Sequence, residues 1–330
     1  MLFIGLVGTA LTAAEIAHLR HPFVAGVVLF TRNYASPAQL SALTAAIRDA
    51  APESLICVDH EGGRVQRFRD GFTLLPEMAA FGRVYDDDPR LAARLAECAG
   101  NIMGYELRRH DIDFSLAPVL DLQDGCSSVI GNRAFHHAPD TVITLASALR
   151  RGLRHQGMAA VGKHYPGHGR VTGDSHHMLP CDHRPFADRA ADRAPFLASI
   201  ADGIEGIMAA HIMLPEDTRP AGFSRPCLQT LRQHGFAGAI LSDDLDMQGA
   251  LAIAADPIAR VQLALDAGAD AAMICNNFAD IAAVLAANLT PDPAKKARLA
   301  ALRARPASPD AAAHYQHALA QLAGHHPQLY

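Results

Sequence analysis

The chain has 330 residues, half of them apolar, and carries 29 basic against 34 acidic side chains, a formal charge of −5. That length and apolar content support a large core and argue against a mostly disordered chain. The slight acid excess argues against a dedicated nucleic-acid binder, and no apolar run reaches the roughly 18 residues of a membrane span.

The first segment, Met1 to Gly8, is apolar but lacks the basic start of a secretory signal. Six cysteines (Cys57, Cys98, Cys126, Cys181, Cys227 and Cys275) are scattered without a C-x-x-C pair. They read as buried small hydrophobes in a reducing compartment. The expected location is therefore cytoplasmic.

Short β-branched apolar runs recur along the chain: Leu2–Val7, Gly26–Phe30, Leu55–Val58, Phe114–Leu120, Ala159–His164, Gly206–His211, Gly238–Asp243 and Ala271–Cys275. They are continuous rather than alternating, as strands buried on both faces should be. Helix-like stretches separate them. After the second run, Ser36 is placed to cap a helix that begins at Pro37, and apolar residues follow at spacings of three and four. Eight strand–helix alternations predict a (β/α)8 TIM barrel over about residues 2–290, with a doubly wound open sheet as the alternative. The Ala-, Leu-, Lys- and Arg-rich tail, residues 291–330, predicts two helices, Pro293–Arg303 and Pro309–Ala323, packed on the barrel. No composition shift marks a second domain, so residues 1–330 read as one.

Polar residues collect at the C-terminal ends of these runs, where a barrel keeps its chemistry. The third run ends in Asp59-His60-Glu61-Gly62-Gly63 and the fourth in Asp121. The fifth ends in Lys163-His164-Tyr165-Pro166-Gly167-His168-Gly169 and the sixth in His211. The last two end in Ser242-Asp243-Asp244 and Cys275-Asn276-Asn277. Nothing comparable is evident at the opposite ends. Neighbours on a strand face opposite sides, so one of Asp243 and Asp244 points into the mouth. Asp243 is the better candidate, and Asp244 can serve as a cap or ion-pair partner.

The glycine-interrupted stretch after the fifth run predicts a pliable loop ending Asp174-Ser175-His176-His177. Residues two apart share a side of an extended chain, so Asp174 can hold the His176 ring and stabilise its cation. That arrangement suits proton transfer. A metal site built on His164, His168, His176, His211 and Asp243 is the competing reading. It lacks the His-x-His pair that usually ends the first strand of metal-dependent barrel hydrolases, and Pro166-Gly167 forbids a helix that would align His164 with His168. Phosphate-loop and nucleophile-elbow motifs are missing too. Glycoside hydrolysis fits better: Asp243 supplies a carboxylate at the anomeric carbon and His176 a proton at the leaving oxygen. Asp59, Arg67, Arg133, Lys163 and His164 are available to bind hydroxyl groups.

Several segments carry a family resemblance. They are Val58-Asp59-His60-Glu61-Gly62-Gly63-Arg64-Val65-Gln66-Arg67, Ile130-Gly131-Asn132-Arg133-Ala134-Phe135, Gly162-Lys163-His164-Tyr165-Pro166-Gly167-His168-Gly169, Gly173-Asp174-Ser175-His176 and Leu241-Ser242-Asp243-Asp244-Leu245-Asp246-Met247. Together they resemble the bacterial β-N-acetylglucosaminidases of glycoside hydrolase family 3, from about residue 2 to 290, and Gly26 to Tyr34 is similar too.

The resemblance implies a TIM barrel without the family's common second domain. It implies Asp243 as nucleophile and His176 as general acid/base with Asp174 as its partner. Asp59, Arg67, Arg133, Lys163 and His164 would hold the N-acetylglucosamine ring. The implied substrates are cytoplasmic muropeptides, N-acetylglucosaminyl-1,6-anhydro-N-acetylmuramic acid with or without peptide, in cell-wall recycling. No metal or organic cofactor is implied. The expected partners are small carbohydrates alone, with neither nucleic acid nor membrane, and a monomer is expected. His60 stands where the family most often has Gln. A sugar-binding barrel without activity and a β-glucosidase remain the rival readings.

Overall fold

The computed structural model describes residues 1–171 and 179–330. The barrel strands are β1 (Leu2–Gly5), β2 (Val24–Leu29), β3 (Leu55–Val58), β4 (Phe114–Ser115), β5 (Ala159–Tyr165), β6 (Gly206–Ala209), β7 (Ala239–Asp244) and β8 (Ala271–Ile274). Each pairs in parallel with the next. β8 returns to β1 through Leu2 opposite Ala272 and Ile4 opposite Ile274, closing the barrel. The open-sheet alternative is thereby excluded. β1, β3, β6 and β8 are buried at every position, which is why the sequence shows unbroken apolar runs there.

The helices follow local rules. In Pro37–Ala50, the Ser36 hydroxyl accepts from the Gln39 amide, Pro37 opens the first turn, and Leu40, Leu43, Thr44 and Ile47 form the buried stripe. Helices Pro89–Arg108 and Pro139–His155 approach so closely at Gly100 that a Cβ there would fall 2.0 Å from the Leu149 carbonyl oxygen.

Four features differ from the sequence expectation. β4 stops at Ser115 rather than running to Leu120, because Pro118 brings no N–H to the ladder. Contact with β5 continues all the same: the Ala117 and Pro118 carbonyls accept the Val161 and Lys163 amides at 2.9 and 3.2 Å, and the Leu120 amide donates to the Lys163 carbonyl at 2.7 Å. A two-stranded hairpin, His60–Gly62 and Val65–Gln66, follows β3. Gly62 sits there at φ +106°, a conformation open to glycine.

The N-terminal face of the barrel is also not bare. Asp113 and Asp270, both buried, take the Ile56 and Ile240 amides at 2.9 and 2.8 Å. Each also pairs with two arginines, Arg48 and Arg303 or Arg232 and Arg298. These carboxylates stitch loops together and face no cavity shared with the C-terminal mouth. All six cysteines are free, but Cys126 and Cys181 are exposed rather than buried, both lying in long loops.

The tail folds as Pro293–Leu299, a 3-10 turn Ala300–Leu302, Ala311–Gly324 and a last turn His326–Leu329. The longest of these packs on the Pro89–Arg108 helix, where the Tyr105 and Tyr315 rings stack at 4.1 Å.

Candidate active site

The C-terminal mouth of the barrel opens into a cavity of about 430 Å³. Six of the eight residues singled out from the sequence line it: Asp59, Arg67, Arg133, Lys163, His164 and Asp243. The other two, Asp174 and His176, lie outside the described residues. Phe30, Met208, Met247 and Met273 form apolar walls.

Each polar group is brought in by its element. Asp59 leaves the tip of β3, and the hairpin turns the chain so that Arg67 comes back beside it, 3.3 Å away. Lys163 and His164 close β5, and Arg133 ends the short turn Gly131–Arg133 in the long loop after β4. Lys163 Nζ lies 2.6 Å from Asp59 Oδ1 and 2.5 Å from Glu61 Oε1. Arg133 grips the same Glu61 with two parallel bonds, 2.7 and 2.8 Å. The result is a continuous lattice of two carboxylates and three cations, linked in the order Arg67, Asp59, Lys163, Glu61, Arg133.

Its electrostatics follow from that geometry. Burial alone would raise the Glu61 carboxyl, but Lys163 and Arg133 outweigh it and bring it down to about 2. Asp59 is likewise opposed by burial and held well below the carboxylate range by Lys163 and Arg67. Burial works against the Lys163 ammonium, yet Asp59 and Glu61 push its affinity for the proton up. The site is thus charged at neutral pH and its donors are pre-aimed.

His164 is held from behind. Its Nδ1 lies 2.7 Å from Asp121 Oδ2, and the fully buried Asp121 also accepts the His164 and His168 amides. Burial opposes the Asp121 charge, but His164 and His168 keep it below the usual range. An ionised Asp121 calls for a proton on Nδ1, which leaves Nε2 unprotonated to accept from Arg133 at 3.4 Å.

The two carboxylates of β7 diverge. Burial would raise Asp243, but His164, His211, the Asp244 amide at 2.8 Å and Lys163 hold it below the ordinary value. Asp244 makes no ion pair among the described residues. Its oxygens take the Asp246 and Cys275 amides and the Asn276 side chain, at 3.0, 3.2 and 3.1 Å, tying β7 to the loop after β8. Burial and the nearby Asp246 push Asp244 up to about 7. Both carboxylates line the cavity, against the expectation that only one would face the mouth, but Asp243 is held ionised while Asp244 also ties β7 to the loop after β8.

Glu61 and Asp121 stand at the ends of the third and fourth runs, but the sequence assigns neither a role in the sugar site, and it offers His168 only as a ligand in the competing metal reading. Alternation in Asp59-His60-Glu61 puts positions 59 and 61 on one side of an extended chain, which is the one readable sign of Glu61. His168 lines the cavity, and neither of its ring nitrogens has a partner among the described residues. Among the described residues no group of three His, Cys, Asp or Glu is arranged to hold a metal ion. No helix among them is long and apolar enough to cross a membrane.

Comparison with known proteins places this geometry in a family. Residues 4–300 match the N-terminal domain of glycosyl hydrolase family 3. A β-hexosaminidase of Methylobacillus flagellatus is 52% identical over 293 residues, covering 87% of this chain and 83% of the relative. One from Thiobacillus denitrificans is 49% identical over 315 residues, covering 93% and 87%. Among solved structures, NagZ from Neisseria gonorrhoeae in complex with N-trifluoroacetyl-D-glucosamine superposes with a TM-score of 0.91 at 39% identity, covering 98% of this chain and 96% of that one. The chain belongs to glycoside hydrolase family 3.

Proposed function

We propose that this family 3 glycoside hydrolase is a retaining exo-β-N-acetylglucosaminidase. The substrates we assign are cytoplasmic muropeptides in which terminal N-acetylglucosamine is β-1,4-linked to 1,6-anhydro-N-acetylmuramic acid, with or without peptide. The observation that carries the reading is the cavity itself: an ionised aspartate and five charged or imidazole groups converge there on a volume suited to a small ligand. The β-hexosaminidase relatives and the amino-sugar complex of the NagZ structure support it.

In the mechanism we infer, Asp59, Arg67, Arg133, Lys163 and His164 hold the sugar hydroxyls. Their mutual ion pairs fix them before substrate arrives, so little reorganisation is needed on binding. Asp243 attacks C1 while protonated His176 gives its proton to the departing oxygen. The glycosyl–Asp243 ester is then opened by water, whose proton returns to His176, and the β configuration is retained. Asp174 would orient the His176 ring and stabilise its cation. We assign no metal or organic cofactor a part, and we read residues 1–330 as one monomeric unit.

The test is release of N-acetylglucosamine from an aryl β-N-acetylglucosaminide, with the product anomer followed by proton NMR. Initial appearance of the β anomer supports the reading. Inversion, or preference for the aryl β-glucoside, removes it.

A further inference from the structure

The sugar cavity does not end at the lattice of charges. A second cavity of about 240 Å³ adjoins it and shares Arg64, Ser128 and Arg133 as walls, continuing past Gly131, Asn132 and Glu77. The cations at the two walls differ in how they are held. Arg133 is committed to Glu61, Arg67 lies beside Asp59, and Lys163 is shared between both carboxylates. Arg64 has no carboxylate partner among the described residues. Its guanidinium is exposed, and its Nη2 donates to the backbone carbonyls of Ser128 and Val129.

That mode of attachment has a chemical consequence. Neutral carbonyls fix the guanidinium plane without cancelling its charge. Among the described residues nothing takes the Nε and Nη1 donors, and a fork of N–H groups at the rim matches a carboxylate. A cation held only by carbonyls beside a sugar site attracts an anion on the part of the substrate that lies outside the sugar pocket.

We propose that Arg64 is the specificity-determining contact for the leaving group, binding an aglycone that bears a carboxylate over the 240 Å³ cavity. This inference rests on the N-acetylglucosaminidase reading above and sharpens it. A 3-O-lactyl ether on the acceptor sugar supplies such a carboxylate, whereas a plain N-acetylglucosamine acceptor does not. Arg64 stands on the wall shared by the two cavities and belongs to no ion pair of the sugar-holding set, so its effect falls on acceptor choice.

A matched pair of disaccharides tests it: N-acetylglucosaminyl-β-1,4-N-acetylmuramic acid and chitobiose, which differ at the acceptor by the lactyl group. The wild type should favour the first in kcat/KM. Arg64→Gln should lower kcat/KM for the muramic disaccharide by about tenfold or more, the scale of one lost charge-assisted bond, and change chitobiose less than about twofold. Arg64→Lys should recover part of the preference, and rising salt should erode it in the wild type. A preference ratio untouched by Arg64→Gln, or an equal fall on both sugars, overturns the inference while leaving the parent reading intact. Failure of the wild type to release N-acetylglucosamine from either disaccharide or from an aryl glycoside overturns both.

Discussion

Lys163 Nζ lies 2.5 Å from Glu61 Oε1, and both side chains are almost wholly out of solvent, at 3% and 2% exposure. Two opposite charges so buried are stable only as a set, because each desolvated ion needs the other. Glu61 also holds both arms of Arg133, so its removal strands a guanidinium and weakens the hold on an ammonium. Glu61→Ala should destabilise the fold by about 3–5 kcal/mol, read as a drop in the denaturant midpoint. It should also abolish sugar binding even where the variant is folded. A stable, active Glu61→Ala would contradict the lattice.

Acid should weaken the protein in two overlapping steps. His60 is packed against Phe68 and Phe72, and burial lowers its pKa from 6.5 to about 3. The unfolded chain gains a proton below 6.5 that the folded one refuses, so stability falls from that point downward. Glu61, held at about 2 against an ordinary 4.5, adds a second loss beginning near 4.5 and complete near 2. Other buried histidines, His168 and His211 among them, add to the first step. His60→Gln should reduce the slope of unfolding free energy against pH between 6 and 4.5 by up to about 1.4 kcal/mol per unit, one proton's share. An unchanged slope would show that His60 is not held neutral.

Asp121 accepts from His164 Nδ1 and from the amides of residues 164 and 168. An amide in its place must turn its NH2 toward one of these donors. Asp121→Asn should therefore free the His164 ring to change tautomer, lowering kcat/KM about 10- to 100-fold, as loss of a supporting contact does elsewhere. Nitrogen-15 NMR of the ring should show the tautomer shift. A full-rate variant with an altered ring would show that His164 orientation is unimportant.

His176 should reveal itself through the leaving group. Its replacement by Ala should cost most with disaccharides, whose departing oxygen needs a proton. The cost should be small with activated aryl glycosides, which need none. Equal losses on both substrates would remove it as the acid.

Much of this architecture is readable in the chain because parallel strands buried on both faces announce themselves as apolar runs. The Pro37–Ala50 helix is legible down to its cap, since Ser36 and Pro37 act locally. What escapes is non-local. Nothing in spacing shows that Glu61 meets Arg133 across 72 residues, or that Asp121 backs His164 across 43. β4 is overextended because periodicity carries past Pro118, and the hairpin around Gly62 and Gly63 is hidden inside a motif that looks purely functional. The Asp113 and Asp270 ties escape because the arginines that pair with them, Arg48, Arg303, Arg232 and Arg298, come from segments distant in the chain.

In the proposed mechanism Asp243 forms the bond to the sugar. Incubation with a fluorinated N-acetylglucosaminyl donor that slows turnover of the intermediate, followed by peptide mass mapping, tests it directly. One added sugar is expected on the peptide containing Asp243 and none in Asp243→Asn, with hydrolysis in that variant down by about a thousandfold or more. A sugar found on any other side chain, or an Asp243→Asn enzyme near full rate, would contradict it.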